Sequence, residues 1–256
     1  MLREELIRYT ELCGVQSAFV IKNLNTGEAV TYNEDLVVPS ASLIKVPVMI
    51  EAFRQIKSGL LAPDLRLSLN PNEIVAFSVL EFLDSDNTYT LLDLIKLMII
   101  YSDNTAANIL INFLGMSNVN TCIRELGLKE TKLQRKMMDT VSRKKGKENL
   151  TTAGEMADLM IRLNRGEIID NIHSGQMLDI MKGQADECMM RVDLPDEIAI
   201  ARKSGELENL NHEMAIVYGP RCCYLYVFFV WNASSNNESR QILQRTSKLV
   251  FDYFDQ

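Results

Sequence analysis

Histidine is nearly missing from this chain. Only His173 and His212 occur in 256 residues, and neither has a motif context, so a Ser-His-Asp triad would have to be built on one of these two. Cysteine is sparse and odd in number. Cys13, Cys122, Cys188, Cys222 and Cys223 are scattered, which excludes a complete disulfide framework. The adjacent Cys222 and Cys223, on a predicted strand, point to opposite faces and suit neither a metal clip nor a bridge, so buried free thiols are expected. No Cys/His spacing fits zinc, and no metal or cofactor is expected. No apolar run approaches the ~20 residues of a membrane span, so no membrane partner is expected. The opening MLREELIRYT has no apolar signal core after its basic residue. A cytoplasmic chain is expected, unless a secretion leader has been removed. Positive charge is also short: 27 Lys and Arg stand against 34 Asp and Glu, a net charge of −7, which argues against a nucleic-acid partner. There is no internal repeat and no low-complexity tract.

What remains is ordinary globular material, 47% hydrophobic and 24% charged, enough to bury a large core in one domain or two closely packed ones. The thirteen methionines fit core filling better than a metal task. Leu2 to Cys13 reads as an amphipathic helix stopped at Gly14. Residues 17–21 and 28–32 read as strands around Asn25-Thr26-Gly27, a hairpin signal. From Ser40 to Leu194 the pattern turns helical, with capping-box signals at Thr90-Leu91-Leu92-Asp93 and Thr152-Ala153-Gly154-Glu155. Strand character returns at 197–202, 214–218 and 223–232, and Ser239 to Phe254 closes as an amphipathic helix. Terminal segments sharing a sheet around a helical insertion predict an α/β sheet domain (1–33 and 183–256) plus an all-α domain (34–182), with the site at their interface.

Three short motifs carry chemistry. Ser42-Leu43-Ile44-Lys45 lies near a helix start, with Ser40 placed as N-cap behind Pro39 and with Pro47 suggesting a kink. The positive end of the helix dipole would stabilise negative charge developing at Ser42. Lys45 shares the face of Ser42 one turn on, and among apolar neighbours and other cations its amine can lose its proton and then deprotonate a serine. Ser102-Asp103-Asn104 follows an apolar helix, 91–100, and opens another, 105–114. Lys203-Ser204-Gly205 ends a predicted strand whose alternation points Lys203 and Gly205 to one side and Ser204 to the other. Ser102 follows Ser42 by 60 residues and Lys203 follows Ser102 by 101.

In order and spacing this set resembles the S-x-x-K, S-D-N and K-[ST]-G signature of the class A β-lactamases and the related low-molecular-weight penicillin-binding proteins. The longer stretch from Leu97 to Asn108 resembles the same family. The resemblance implies a β-lactamase/transpeptidase-like fold, with an antiparallel sheet flanked by terminal helices. It implies that Ser42 is the nucleophile, Lys45 its base, and Ser102 the proton relay to the leaving nitrogen. Asn104 would orient Lys45 and hold the substrate's amide side chain, while Asp103 faces inward and braces the loop. Lys203 and Ser204 would attract the substrate carboxylate, Gly205 would permit close backbone approach, and the N–H groups of Ser42 and Glu206 would form the oxyanion hole.

The chain also departs from the family. Class A enzymes carry Glu-x-x-Leu-Asn in a loop after the second motif. Read forward from Thr131 without gaps, its glutamate falls on Met137 and its asparagine on Val141. Asp139 is the nearest carboxylate and could substitute, although pairing with Arg135 or capping the loop would also explain it. An arginine that many class A enzymes carry after the third motif is absent, with His212 roughly in its place and Arg202 a possible compensation. The basic run Arg143-Lys144-Lys145-Gly146-Lys147 reads as a solvated loop, and His173 as an ordinary loop or helix-end residue. The expected function is β-lactam hydrolysis through a Ser42 acyl-enzyme with slow deacylation, by a monomer acting on a small anionic β-lactam or acyl-peptide. A D-Ala-D-Ala peptidase or small esterase using the same residues, or a covalent β-lactam binder, are the alternatives.

Overall fold

The computed structural model describes residues 1–84, 86–186 and 189–255. Cys188 therefore lies outside the described residues. Helix α1 (Leu2–Leu12) leads into the hairpin of β1 (Gln16–Asn23) and β2 (Ala29–Tyr32). A short β3 (Val38–Pro39) precedes a 3-10 turn, Ala41–Ile44, and α2 (Lys45–Lys57). β4 (Arg66–Ser68) and β5 (Thr88–Thr90) form a small ribbon ahead of α3 (Leu91–Ile100), α4 (Asn104–Leu114) and α5 (Met116–Glu125). α6 (Thr140–Lys144), β6 (Leu150–Thr151), α7 (Ala153–Asn164) and α8 (Asn171–Lys182) follow. The chain then returns to the sheet as β7 (Ala199–Leu207), β8 (Leu210–Tyr218) and β9 (Cys223–Trp231), and ends in α9 (Asn236–Phe254).

The five-stranded sheet runs β2-β1-β9-β8-β7, antiparallel throughout. Its first and last strands meet in register, Gln16 opposite Trp231 and Asn23 opposite Tyr224. The sheet is covered on both faces, so β9 is a continuous apolar run rather than an alternating one. One face packs Phe19, Ala215, Tyr226 and Phe228 against α1 and α9. The other packs Val20, Met214, Val227 and Phe229 into one core with the helices that follow β2, α7 and α8 lying nearest the sheet. Each large side chain so buried is worth about 1.5–3 kcal/mol against exposure. No described helix is long and apolar enough to cross a membrane. Cys13, Cys122, Cys222 and Cys223 are free thiols, and of these only Cys122 is buried.

Several boundaries differ from the sequence expectation. Ser42 sits in a 3-10 turn ahead of α2, not inside an α-helix. Ser40 does not cap it: Ala41 takes φ +47°, the chain turns there, and Ser40 Oγ donates to Ala41 O instead (3.3 Å). Pro47 lies in the first turn of α2, where an amide would have little to bond, and the helix runs on past it. The third motif does not end its strand, because β7 continues to Leu207 and turns at Glu208-Asn209, with Asn209 at φ +56°. Thr90 and Asp93 form the expected capping box. Thr152 caps α7, but Glu155 turns away from the cap and accepts hydrogen bonds from the Lys129, Glu130 and Thr131 amides at 2.6–2.8 Å.

Candidate active site

Ser42, Ser102, Asn104 and Ser204 line one cleft of about 710 Å³. The 3-10 turn carries Ser42 past the edge strand β7, and Gly205 is what lets the two approach. A Cβ on Gly205 would lie 3.1 Å from Ala41 Cβ and 3.2 Å from the Ser42 amide nitrogen. The close approach expected of this glycine is thus made to the turn that carries Ser42.

Beneath the serines lies a buried network of charge. Lys45, wholly inaccessible to solvent, donates from Nζ to Ser102 O (2.6 Å), Asn104 Oδ1 (2.8 Å) and Ser102 Oγ (3.2 Å). Lys203, equally buried, donates to the same Ser102 Oγ (3.0 Å) and to Ser204 O (2.8 Å). Ser102 is held there at φ +53°, a conformation a serine adopts only when its surroundings impose it. Burial, and then the charge of Lys203, hold the Lys45 amine well below its ordinary pKa against the pull of Asp103. Burial also brings Lys203 down to about 8, opposed by Glu213 and Asp186. Two ammonium groups sharing one hydroxyl out of water cannot both stay charged cheaply, and Lys45 is the one that yields.

Asp103 braces this arrangement from below, as its inward orientation predicts. Fully buried, it accepts from Ser78 Oγ (2.8 Å), Val79 N (2.6 Å), Leu80 N (3.1 Å) and, as N-cap of α4, Ala106 N (2.8 Å). Asn104 Nδ2 donates to Ala76 O (3.0 Å), which fixes its carbonyl toward Lys45.

The substrate-side residues are placed less uniformly. Ser204 faces away from Lys203, as alternation requires, with Oγ 2.9 Å from Asp186 Oδ2 and 3.0 Å from the Gln184 amide. The Glu206 carboxylate is turned to Arg240 (2.6 Å) and Asn211 (2.9 Å), while its backbone lies on the edge strand β7 beside the cleft. His212 is not among the residues that line the cleft. The register pairs it with Gly205 on the inner face, where it is fully buried, stacked on Phe229 at 4.3 Å, with Nε2 3.0 Å from Pro39 O. Burial pushes its pKa down to about 4, so it is a neutral packing group. Arg202 does not compensate either. It lies on the opposite face from Lys203, buried beside Glu213 (3.5 Å) and donating to Gln184 O and Asp186 O.

The facing loop is built from backbone ties. The ion pair Arg135–Glu148 (2.7 Å) closes its base, and Asn149 accepts from Gln134 N (2.7 Å) and Arg135 N (3.0 Å). Met137 is buried at the cleft wall with its backbone gripped on both sides by Asn108: Met137 N to Oδ1, 2.8 Å, and Nδ2 to Met137 O, 3.1 Å. That grip is one sequence reasoning missed. Its signal is the repeat of asparagine at one-turn spacing along α4, Asn104, Asn108 and Asn112, of which Asn108 is the buried second. Asp139 lines the cleft, but its carboxylate caps α6 by accepting from Ser142 N (2.9 Å), and the Ser142 side chain, then this amide, lower its pKa. Val141 is exposed. His173 lies in α8, bonded to the capping Asp170 (2.7 Å). No group of metal-ligating side chains occurs among the described residues.

Comparison with known proteins places this arrangement. A β-lactamase of Rhodobacter capsulatus is 26% identical over 222 residues, covering 84% of this chain and 75% of the relative. β-Lactamase OXY-2 of Klebsiella oxytoca is 22% identical over 97% of this chain and 88% of its own. Among solved structures, a β-lactamase from Sphaerobacter thermophilus superposes with a TM-score of 0.90 at 25% identity, covering 98% of this chain and 96% of that one. PBP-A superposes at 0.89 with 24% identity over 99% and 96%. The antiparallel sheet, its terminal helices and the helical insertion are therefore those of the β-lactamase/transpeptidase fold. The sequence model of the β-lactamase enzyme family matches from residue 2 to residue 254, nearly every residue that builds the sheet and frames the cleft, and the chain belongs to that family.

Proposed function

We propose that this chain is a serine hydrolase that opens the β-lactam amide by transferring its acyl group to Ser42. The observation that carries the reading is the wholly buried Lys45, whose amine is held neutral-prone three residues after Ser42 and 3.2 Å from Ser102 Oγ. A neutral amine there takes the Ser42 proton as Oγ attacks the carbonyl carbon. As the C–N bond breaks, Ser102, bonded to both lysines, hands a proton to the leaving nitrogen. The N–H groups of Ser42 and Glu206 hold the carbonyl oxygen as it becomes negative. Lys203 draws the substrate carboxylate, which Ser204 at the cleft wall joins in holding once its hydroxyl turns from Asp186, and Asn104 holds the amide side chain. The cleft lies between the sheet part (1–33, 183–256) and the helical part (34–182), which we read as two domains.

Hydrolysis of the acyl-enzyme is the slower half in this reading. Met137 offers no group to activate water, and the Asp139 carboxylate already caps α6. We read the protein as a cytoplasmic monomer with a small anionic substrate; its net charge of −7 speaks only against a nucleic-acid partner. Time-resolved mass spectrometry of the intact chain with penicillin G tests the proposal. A one-to-one adduct that forms on Ser42, is absent from Ser42→Ala, and decays slowly is expected. Labelling of another serine, or of the variant, overturns it.

A further inference from the structure

The Ser204 hydroxyl already has a carboxylate of the protein's own beside it. Asp186 lines the cleft, is only half-buried, and holds its Oδ2 2.9 Å from Ser204 Oγ. That hydroxyl is buried and carries a single proton. With Asp186 on one side and the Gln184 amide at 3.0 Å, the proton is engaged before any substrate arrives. An uncharged amide is enough to satisfy a buried hydroxyl; a charged acceptor beside the same group costs binding energy whenever an anion must approach it. Asp186 is also firmly placed. The Ala185 amide donates to Ile100 O (2.9 Å), and the buried Arg202 donates to Gln184 O (3.4 Å) and to Asp186 O. Arg202, which takes no part in capturing substrate, thus fixes the backbone that delivers Asp186 to Ser204. The charge is felt at Lys203 as well, where burial draws the amine down to about 8 and Glu213, then Asp186, oppose the fall.

We propose that Asp186 is a specificity-determining residue, an internal competitor that holds the Ser204 hydroxyl until a substrate carboxylate displaces it. The inference rests on the acylation of Ser42 proposed above and deepens it by naming which acyl compounds the cleft favours. An anionic compound gains the attraction of Lys203, but it must break the Asp186–Ser204 bond and lie beside a like charge. A neutral ester or amide meets neither cost. The cleft therefore takes neutral acyl compounds more nearly on a par with anions than Lys203 alone would allow.

Rapid-quench mass spectrometry of the full chain at pH 6, where Lys203 is cationic, gives the acylation rates with penicillin G and with its neutral methyl ester. The ratio of the two rates is the readout, because a loss of packing lowers both and leaves the ratio where it was. Asp186→Asn keeps the shape, removes the charge and can turn its amide toward the substrate carboxylate. A hydrogen bond to a charged group is worth about tenfold or more, so the anion-to-ester ratio should rise about tenfold in this variant. Asp186→Ser should raise it too, whereas Asp186→Glu, which keeps the charge, should not. A ratio unmoved in both Asp186→Asn and Asp186→Ser overturns the proposal and leaves acylation of Ser42 standing. No labelling of the wild type by either compound overturns the hydrolytic reading, and this inference with it.

Discussion

The two sides of the cleft are built on different principles. On one, charged side chains are buried against one another: Lys45, Lys203, Ser102 and Asn104 share hydrogen bonds from 2.6 to 3.2 Å around a single hydroxyl. On the other, side chains such as Asn108, Asn149 and Asp139 hold backbone amides and shape a loop. The first arrangement perturbs proton affinity, because desolvated cations compete for one proton acceptor. The second perturbs nothing that can titrate near neutrality. Its carboxylates are spent, Glu148 on Arg135 and Asp139 on the α6 cap. In the proposed mechanism this contrast is what makes acylation the faster half and release of the acyl group the slower.

The contrast breaks most severely at Lys45. Lys45→Arg keeps the charge but cannot give up its proton in this range, and acylation of Ser42 should slow by about 10²–10⁴-fold, some 3–5 kcal/mol of barrier. Rapid-quench mass spectrometry reads it, and retention of most of the rate would remove Lys45 from the mechanism. On the loop side, a chromogenic cephalosporin should give a burst equal to the enzyme concentration, followed by slow drainage. Met137→Glu keeps the backbone grip of Asn108 and should speed drainage at least tenfold. Steady turnover without a burst in the wild type would show that the loop side already supplies a base.

A smaller effect comes from pH. Lys203 is brought down to about 8 by burial, so it is cationic below that pH and loses its charge above it. KM for an anionic substrate should therefore rise by up to tenfold per pH unit above about 8. On the acid side the limiting group is Lys45, held well below its ordinary pKa by burial and by the charge of Lys203; its neutral fraction grows with pH, so acylation rises with pH there. A KM flat from pH 7 to 10 would take Lys203 out of substrate capture. The smallest effect belongs to Asp139. Asparagine can still cap α6, so Asp139→Asn should leave the melting temperature nearly unmoved and drainage unchanged. A tenfold fall in drainage would instead make Asp139 the water-activating base.

The charged side of the cleft was legible in the sequence because it is local. Ser42 and Lys45 lie one turn apart, and Ser102, Asp103 and Asn104 lie at a helix start, so chemistry and spacing coincide. Asp103 facing inward follows from its place as cap of an apolar helix. What escaped depended on register. Whether His212 faces the cleft or the core is decided by the two-residue turn at Glu208-Asn209, and a shift of one position reverses every side chain of β8. Likewise Ser40 looked like an N-cap because no pattern announces that Ala41 takes φ +47°. Glu155 obeys the capping-box pattern and yet serves three amides elsewhere, since a carboxylate goes where more donors converge.

The meeting of β1 and β9 in mid-sheet imposes an order on assembly. Partners such as Gln16 and Trp231 are more than 200 positions apart, so a chain emerging from the ribosome holds its first hairpin unpartnered on one side until nearly all of it has been made. The helices between can form from nearby contacts, but the strand that brings Lys203 to Ser102 cannot settle until its neighbours do. In the proposed mechanism, Ser42 therefore gains its partners only as the last strands close.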